Sequence, residues 1–177
     1  MSKPLLIAVL AALPVLGIAG YAAAGGQSDL AKVRDATNAY HDIQAARDAG
    51  YKTELALFGT TTTCIANGDQ GAMGIHMVSS VDGTLDETRP EALLYEKRND
   101  GSFKLTGVEY ILPIGSSPPA AGTTPPKLFG QDFDVTDATP FFGTPTFLWT
   151  LHVWIWKPNP DPLRGIFAPW NTRVSCD

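Results

Sequence analysis

Thr150-Leu151-His152-Val153-Trp154-Ile155-Trp156 is the stretch on which the fold turns. Its residues are almost all β-branched, aromatic or leucine, the composition that favours a pleated, half-buried strand. Side chains on a strand alternate between faces. Leu151, Val153 and Ile155 therefore share one face, and Thr150, His152, Trp154 and Trp156 the other. The first face reads as ordinary core. The second sets one imidazole beside two indoles, a surface suited to a pocket wall or a metal site.

Period-two patterning recurs over Tyr51–Leu57, Gly71–Val78, Glu91–Glu96, Phe103–Leu112, Leu128–Phe133 and Phe147–Lys157. Arg98-Asn99-Asp100-Gly101 separates two of these runs with a strong hairpin turn. Ahead of them, Leu30, Val33, Thr37, Tyr40 and Ile43 repeat at helical spacing, which predicts one amphipathic helix over Ser28–Ala49. Ser28 suits its N-cap and Gly50 the position after its end. One helix followed by many short strands predicts an α+β fold, mainly an antiparallel β-barrel or sandwich with the N-terminal helix packed on it. Residues 113–127 (PIGSSPPAAGTTPPK) form a Pro/Gly-rich loop, and Pro158, Pro160 and Pro162 exclude a central strand from the C-terminal run.

The N-terminus predicts a compartment. Lys3 precedes an uncharged apolar stretch from Pro4 to Ala24, and Ala22 and Ala24 give the small-x-small pattern of a signal peptidase site. The expected domains are a signal peptide, 1–24, and one globular domain, 25–177. The competing reading is an uncleaved anchor, but Pro14, Gly17 and Gly20 interrupt it. Lys3 is the only charged side chain removed, so the formal charge moves from −5 to −6. That balance, with no basic stripe, argues against a nucleic-acid partner and against stable membrane association after cleavage. An exported chain whose only cysteines are Cys64 and Cys176 is expected to join them.

The chemistry rests on polar residues that alternation turns inward. His76 shares a face with Ala72, Gly74 and Val78, and Met73, Ile75 and Met77 take the other. Counting back from the Asp100-Gly101 turn sets Glu96 opposite Leu105, Leu94 opposite Gly107 and Ala92 opposite Glu109, so Glu96 and Glu109 lie on one face. A carboxylate among aliphatic neighbours requires a partner. Two imidazoles and one or two carboxylates from separate strands suit a divalent transition metal, Zn, Mn, Fe or Cu. His76, Glu109 and His152 are the expected ligands, Glu96 a ligand or catalytic acid/base, and Tyr110, Trp154 and Trp156 the walls of a small-molecule pocket. The bland alternatives are hydrogen-bonded core histidines and a salt bridge from Glu109 to a neighbouring Arg or Lys. His41 reads as a half-exposed helix residue, and Asp82, Asp86 and Glu87 as a solvated loop without calcium spacing.

Several segments carry a resemblance: Ala39-Tyr40-His41-Asp42, Gly71-Ala72-Met73-Gly74-Ile75-His76, Pro90-Glu91-Ala92-Leu93-Leu94-Tyr95-Glu96, Gly107-Val108-Glu109-Tyr110, Leu151-His152-Val153-Trp154 and Ala168-Pro169-Trp170-Asn171. Together they resemble a group of small exported bacterial proteins of unassigned function, over most of the mature chain. A looser resemblance is to cupins, which implies a metal held by His and Glu from barrel strands, although the paired histidines two residues apart are absent. The expected function is an exported, secreted or periplasmic, metal-binding protein, an oxidoreductase or hydrolase of a small organic molecule. The alternative is a non-catalytic binding module with an aromatic-lined pocket for carbohydrate or another flat apolar ligand.

Overall fold

A computed structural model describes residues 22–176. The expected export signal, apart from Ala22–Ala24, lies outside the described residues. Two helices, α1 (Ala22–Thr37) and α2 (Ile43–Asp48), precede the strands β1 (Thr53–Glu54), β2 (Cys64–Ala66), β3 (Ala72–Val78), β4 (Ala92–Lys97) and β5 (Phe103–Gly115). The remaining elements are β6 (Lys127–Leu128), β7 (Gln131–Asp132), β8 (Asp134–Asp137), the short helix α3 (Thr139–Phe142) and β9 (Phe147–Val153). No helix among the described residues is long and apolar enough to cross a membrane.

The single helix expected over Ser28–Ala49 is two. Ser28 lies inside α1, so it is not an N-cap. A 3-10 turn over Asn38–His41 separates the helices, and the Asp42 carboxylate restarts the chain as the N-cap of α2 by accepting from the Gln44 N–H. The end of α2 matches the expectation. Gly50 has φ +104°, and the Tyr51 and Gly50 amides donate to the Ala46 and Arg47 carbonyls, closing the helix in a Schellman motif.

The main sheet is antiparallel throughout, in the order β1-β3-β4-β5-β9-β8, with β2 sharing the β1 edge of β3. The expected barrel does not close: among the described residues β8 has no partner beyond β9, and β1 and β2 bound the opposite edge. The chain is therefore α+β with an open sheet. One face carries Ile75, Met77, Leu93, Tyr95, Val108, Tyr110, Leu151 and Val153, which form a single core with Val33, Ala46 and Tyr51 of the helical layer. Three tyrosines are buried there with their hydroxyls satisfied: Tyr51 donates to the Pro90 carbonyl, Tyr95 to that of Tyr40 and Tyr110 to that of Glu87.

Two departures from regular pairing shape the opposite face. The β4–β5 register matches the hairpin count at Ala92↔Glu109 and Leu94↔Gly107, then shifts so that Tyr95 meets Leu105 and Glu96 meets Lys104. The extra residue is Thr106, a β-bulge whose carbonyl accepts from both Trp156 and Lys157. Leu105 is thereby turned into the helix-side core, not beside Glu109 as expected. The second departure ends β9 at Val153. The Trp154 amide donates to the Ile166 carbonyl, so the C-terminal segment, not a strand, receives the chain.

That segment runs back beneath the sheet. Trp154, Leu94, Ala72 and Val174 form a second core, Asn171 bridges to Ala72, and Cys176 is bonded to Cys64 on β2. Gly107 allows the close approach, since a Cβ there would lie 2.8 Å from the Val153 carbonyl oxygen and 3.3 Å from Trp154. Two predictions follow from this clasp. Replacing Cys64 and Cys176 together by serine opens a loop of 112 residues and should lower stability by about 4–5 kcal/mol, read as a lower denaturant midpoint. Gly107→Ala should cost about 1–3 kcal/mol, read as a melting temperature lower by about 2–4 °C per kcal/mol.

Candidate metal centre

The site is built from sheet register. Glu109 on β5 stands directly opposite His152 on β9 and, on its other side, opposite Ala92 on β4. Directly opposed residues in an antiparallel pair point to the same face. His76 lies one strand further out, on β3, opposite Leu94. Along β4 the register sets Leu94 beside His76 and Ala92 beside Glu109, and the imidazole reaches diagonally across that strand to the carboxyl. The result is a group of three buried side chains whose donor atoms all lie within 4.8 Å of one another. His76 Nε2 is 3.4 Å from Glu109 Oε2, and His152 Nε2 is 3.6 Å from Glu109 Oε1.

Burial controls the charge of this group. It pushes the Glu109 carboxyl up to about 8, with a smaller contribution from the nearby Glu91 carboxylate. It pulls the His76 imidazole down to about 4 and holds that of His152 well below its ordinary value. Near neutral pH the metal-free group is thus a protonated acid facing two neutral imidazoles, not an ion pair. No Arg or Lys reaches Glu109 among the described residues, which removes the structural salt bridge as its explanation. Nδ1 of His76 and Nε2 of His152 are buried without a hydrogen-bond partner in the protein. Buried polar atoms left in that condition are uncommon.

A divalent cation answers both the uncompensated Glu109 carboxylate and the unpartnered Nε2 of His152. Bonds of about 2.0–2.2 Å at tetrahedral angles set neighbouring donors roughly 3.3–3.6 Å apart. Each imidazole-to-carboxylate distance, 3.4 Å to Oε2 and 3.6 Å to Oε1, falls in that range. Two imidazoles and one carboxylate are a donor set used by catalytic zinc and by non-haem iron sites. A metal there would take Glu109 as carboxylate and both histidines neutral, the latter being the state that burial already enforces.

The group forms the floor of a cavity of about 290 Å³. Its walls are mainly apolar and include Leu55, Val78, Ile111, Phe141, Phe142 and Leu148. Thr150 and Thr136 line it with their hydroxyls hydrogen-bonded to each other at 2.7 Å. Continuing the alternation N-terminally from His152 reaches Thr150 and Leu148, and continuing it from Glu109 reaches Ile111, so these walls had a signal in sequence. Phe141 and Phe142 had none, because α3 follows β8 with no periodicity of its own. Met73, assigned by alternation to the opposite face, also lines the cavity. Alternation is interrupted at Gly74, where φ is +86°.

The other expected site residues sit elsewhere. Both oxygens of Glu96 are 2.7 Å from the Lys157 ammonium, and one also accepts from the Ser175 amide, so this carboxylate secures the C-terminal segment and does not line the cavity. Tyr110 is buried on the helix side of the sheet. Trp154 lies alongside His152, with ring centroids 6.2 Å apart and planes 20° from parallel, and its Nε1–H donates to the Ala168 carbonyl. It supports the imidazole from behind and is not among the residues lining the cavity. Trp156 lies beyond the end of β9, edge-on to the exposed His41, and donates to the Thr37 hydroxyl. Asp82 and Asp86 accept from the Thr84 and Thr88 amides, the local turns of a solvated loop.

No protein-family model, no curated protein and no solved structure matches this chain.

Proposed function

We propose that this chain is an exported protein that holds one divalent transition metal on His76, Glu109 and His152, with the open side of the metal facing the cavity. The observation that carries the reading is a carboxyl group buried against two imidazoles, with Nε2 of His152, which faces it, lacking a hydrogen-bond partner. When bound, such a metal acts as a Lewis acid on a coordinated water or small organic molecule, the basis of metal-dependent hydrolysis and oxidation. The protein's share is to orient the three donors and to exclude bulk water. Trp154 holds the His152 ring in place, and the apolar walls keep the local dielectric low. The Cys64–Cys176 disulfide supports an oxidising compartment outside the cytoplasm, secreted or periplasmic. The placement of Tyr110, Trp154 and Trp156 outside the cavity gives no support to an aromatic sugar-binding platform.

Protein purified from an oxidising compartment should carry about one transition metal per chain by elemental analysis. His76→Ala and His152→Ala should each abolish that content. In metal-free protein, a metal supplied at a hundred times its dissociation constant should add about 2.7 kcal/mol of stability, seen as a rise in melting temperature that chelator reverses. A metal-free protein whose melting is indifferent to zinc, manganese, iron, copper and chelator would overturn the reading.

Glu109→Gln separates a ligand from a packing residue. The amide is nearly isosteric with the protonated acid that burial favours, so the metal-free variant should melt within about 1 kcal/mol of the metal-free parent. It should nevertheless lose the stabilisation by metal, because a neutral amide replaces the only carboxylate in the donor set. Retention of full metal affinity by this variant would contradict the assignment.

A further inference from the structure

We infer that the cavity above the metal group takes a small monoanion with an apolar tail, the anionic head on the metal and the tail along Ile111, Leu148 and the phenylalanines of α3. This inference rests on the metal reading and adds the chemical class of the ligand. Charge balance fixes the head. A divalent metal held by two neutral imidazoles and one carboxylate keeps one net positive charge in a buried place, where uncompensated charge is expensive. Among the described residues, Glu109 is the only carboxylate lining the cavity, and no Lys or Arg side chain lines it. The wall therefore offers a dianion no second cation. A cationic ligand would meet the metal's own charge. A monoanion neutralises the site.

The walls fix the tail. Apart from the metal group, the polar lining is limited to threonines 53, 136, 146 and 150. Two of these hydroxyls are already engaged with each other. A sugar or a nucleotide would leave its own hydroxyls unpaired against Leu55, Val78, Ile111 and Leu148, a loss that apolar walls do not repay. Size sets the limit. At roughly 30 Å³ per water-sized group, 290 Å³ accommodates about ten non-hydrogen atoms. The mouth continues the same chemistry. Val81 and Phe142, both lining the cavity, are among the few large apolar side chains left exposed, at 39% and 48%. Phe58, 67% exposed, packs beside them against Gly143 and donates its amide to the Pro140 carbonyl.

A calorimetric series with straight-chain carboxylates tests this. Zinc-loaded protein is titrated with acetate, butanoate, hexanoate and octanoate, and chelator-stripped protein with octanoate and with 1-octanol. Each two-carbon extension should tighten binding to the zinc-loaded protein by about tenfold, as burial of two methylenes requires. Stripping the metal should abolish octanoate binding while 1-octanol still binds, since only the acid needs the cation. A zinc-loaded protein that binds acetate as tightly as octanoate overturns the inference and leaves the metal reading standing. Octanoate binding that survives stripping overturns the role given to the metal in holding the head. Failure of zinc itself to bind, seen in a titration before any acid is added, overturns the metal reading and this inference together.

Discussion

The withdrawal of a carboxyl group from water, between strands that supply no cation to meet it, is the constraint around which the rest of this molecule is arranged. Glu109 sits at the middle of the sheet, on its longest strand, with Ala92 on one side and His152 on the other. An ionised carboxylate there without compensation would be destabilising by several kcal/mol, so the acid holds its proton and the imidazoles stay neutral. Such a group weakens a core relative to aliphatic packing. A ligand that is itself positive would offset that cost.

The surrounding structure serves to hold that group at fixed geometry. The helices α1 and α2 cover one face of the sheet with a continuous core, which leaves the other free to be hollow. The C-terminal segment places Trp154 against His152 and anchors itself through Asn171, the Glu96–Lys157 ion pair and the disulfide. The bulge at Thr106 is the joint in this clasp. Its carbonyl accepts the two amides that lead the chain away from β9 and under the sheet. Trp154 thus links this clasp to His152 of the His76–Glu109–His152 group.

How much of this was legible in sequence varied with the range of the signal. Alternation turned His76, Glu109 and His152 inward, each on its own strand, and the Asp100-Gly101 turn gave Ala92 opposite Glu109, because both signals are local; that the three meet depends on the pairing of separate strands, which alternation alone does not specify. The same count misplaced Leu105, since a bulge inserts a residue without marking itself in composition. Trp156 was assigned beside His152 because its residue type favours strand, whereas after Val153 the chain leaves the ladder, the Trp154 amide going to the Ile166 carbonyl and those of Trp156 and Lys157 to the bulged Thr106 carbonyl. Glu96 had a signal for being satisfied, the basic residues around it, but its partner Lys157 lies across the fold. Closure into a barrel was an inference from strand number. Strand number does not specify whether edges meet, and here β1 and β2 are too short and share one side of β3.

Anomalous diffraction from crystals of the protein as purified, collected on both sides of the absorption edges of the candidate metals, tests the centre most directly. One peak should lie at about 2.0–2.2 Å from an imidazole nitrogen of His76, an imidazole nitrogen of His152 and a carboxylate oxygen of Glu109. Density between these side chains that shows no edge at any transition metal, or a metal peak bound elsewhere on the chain, would contradict it.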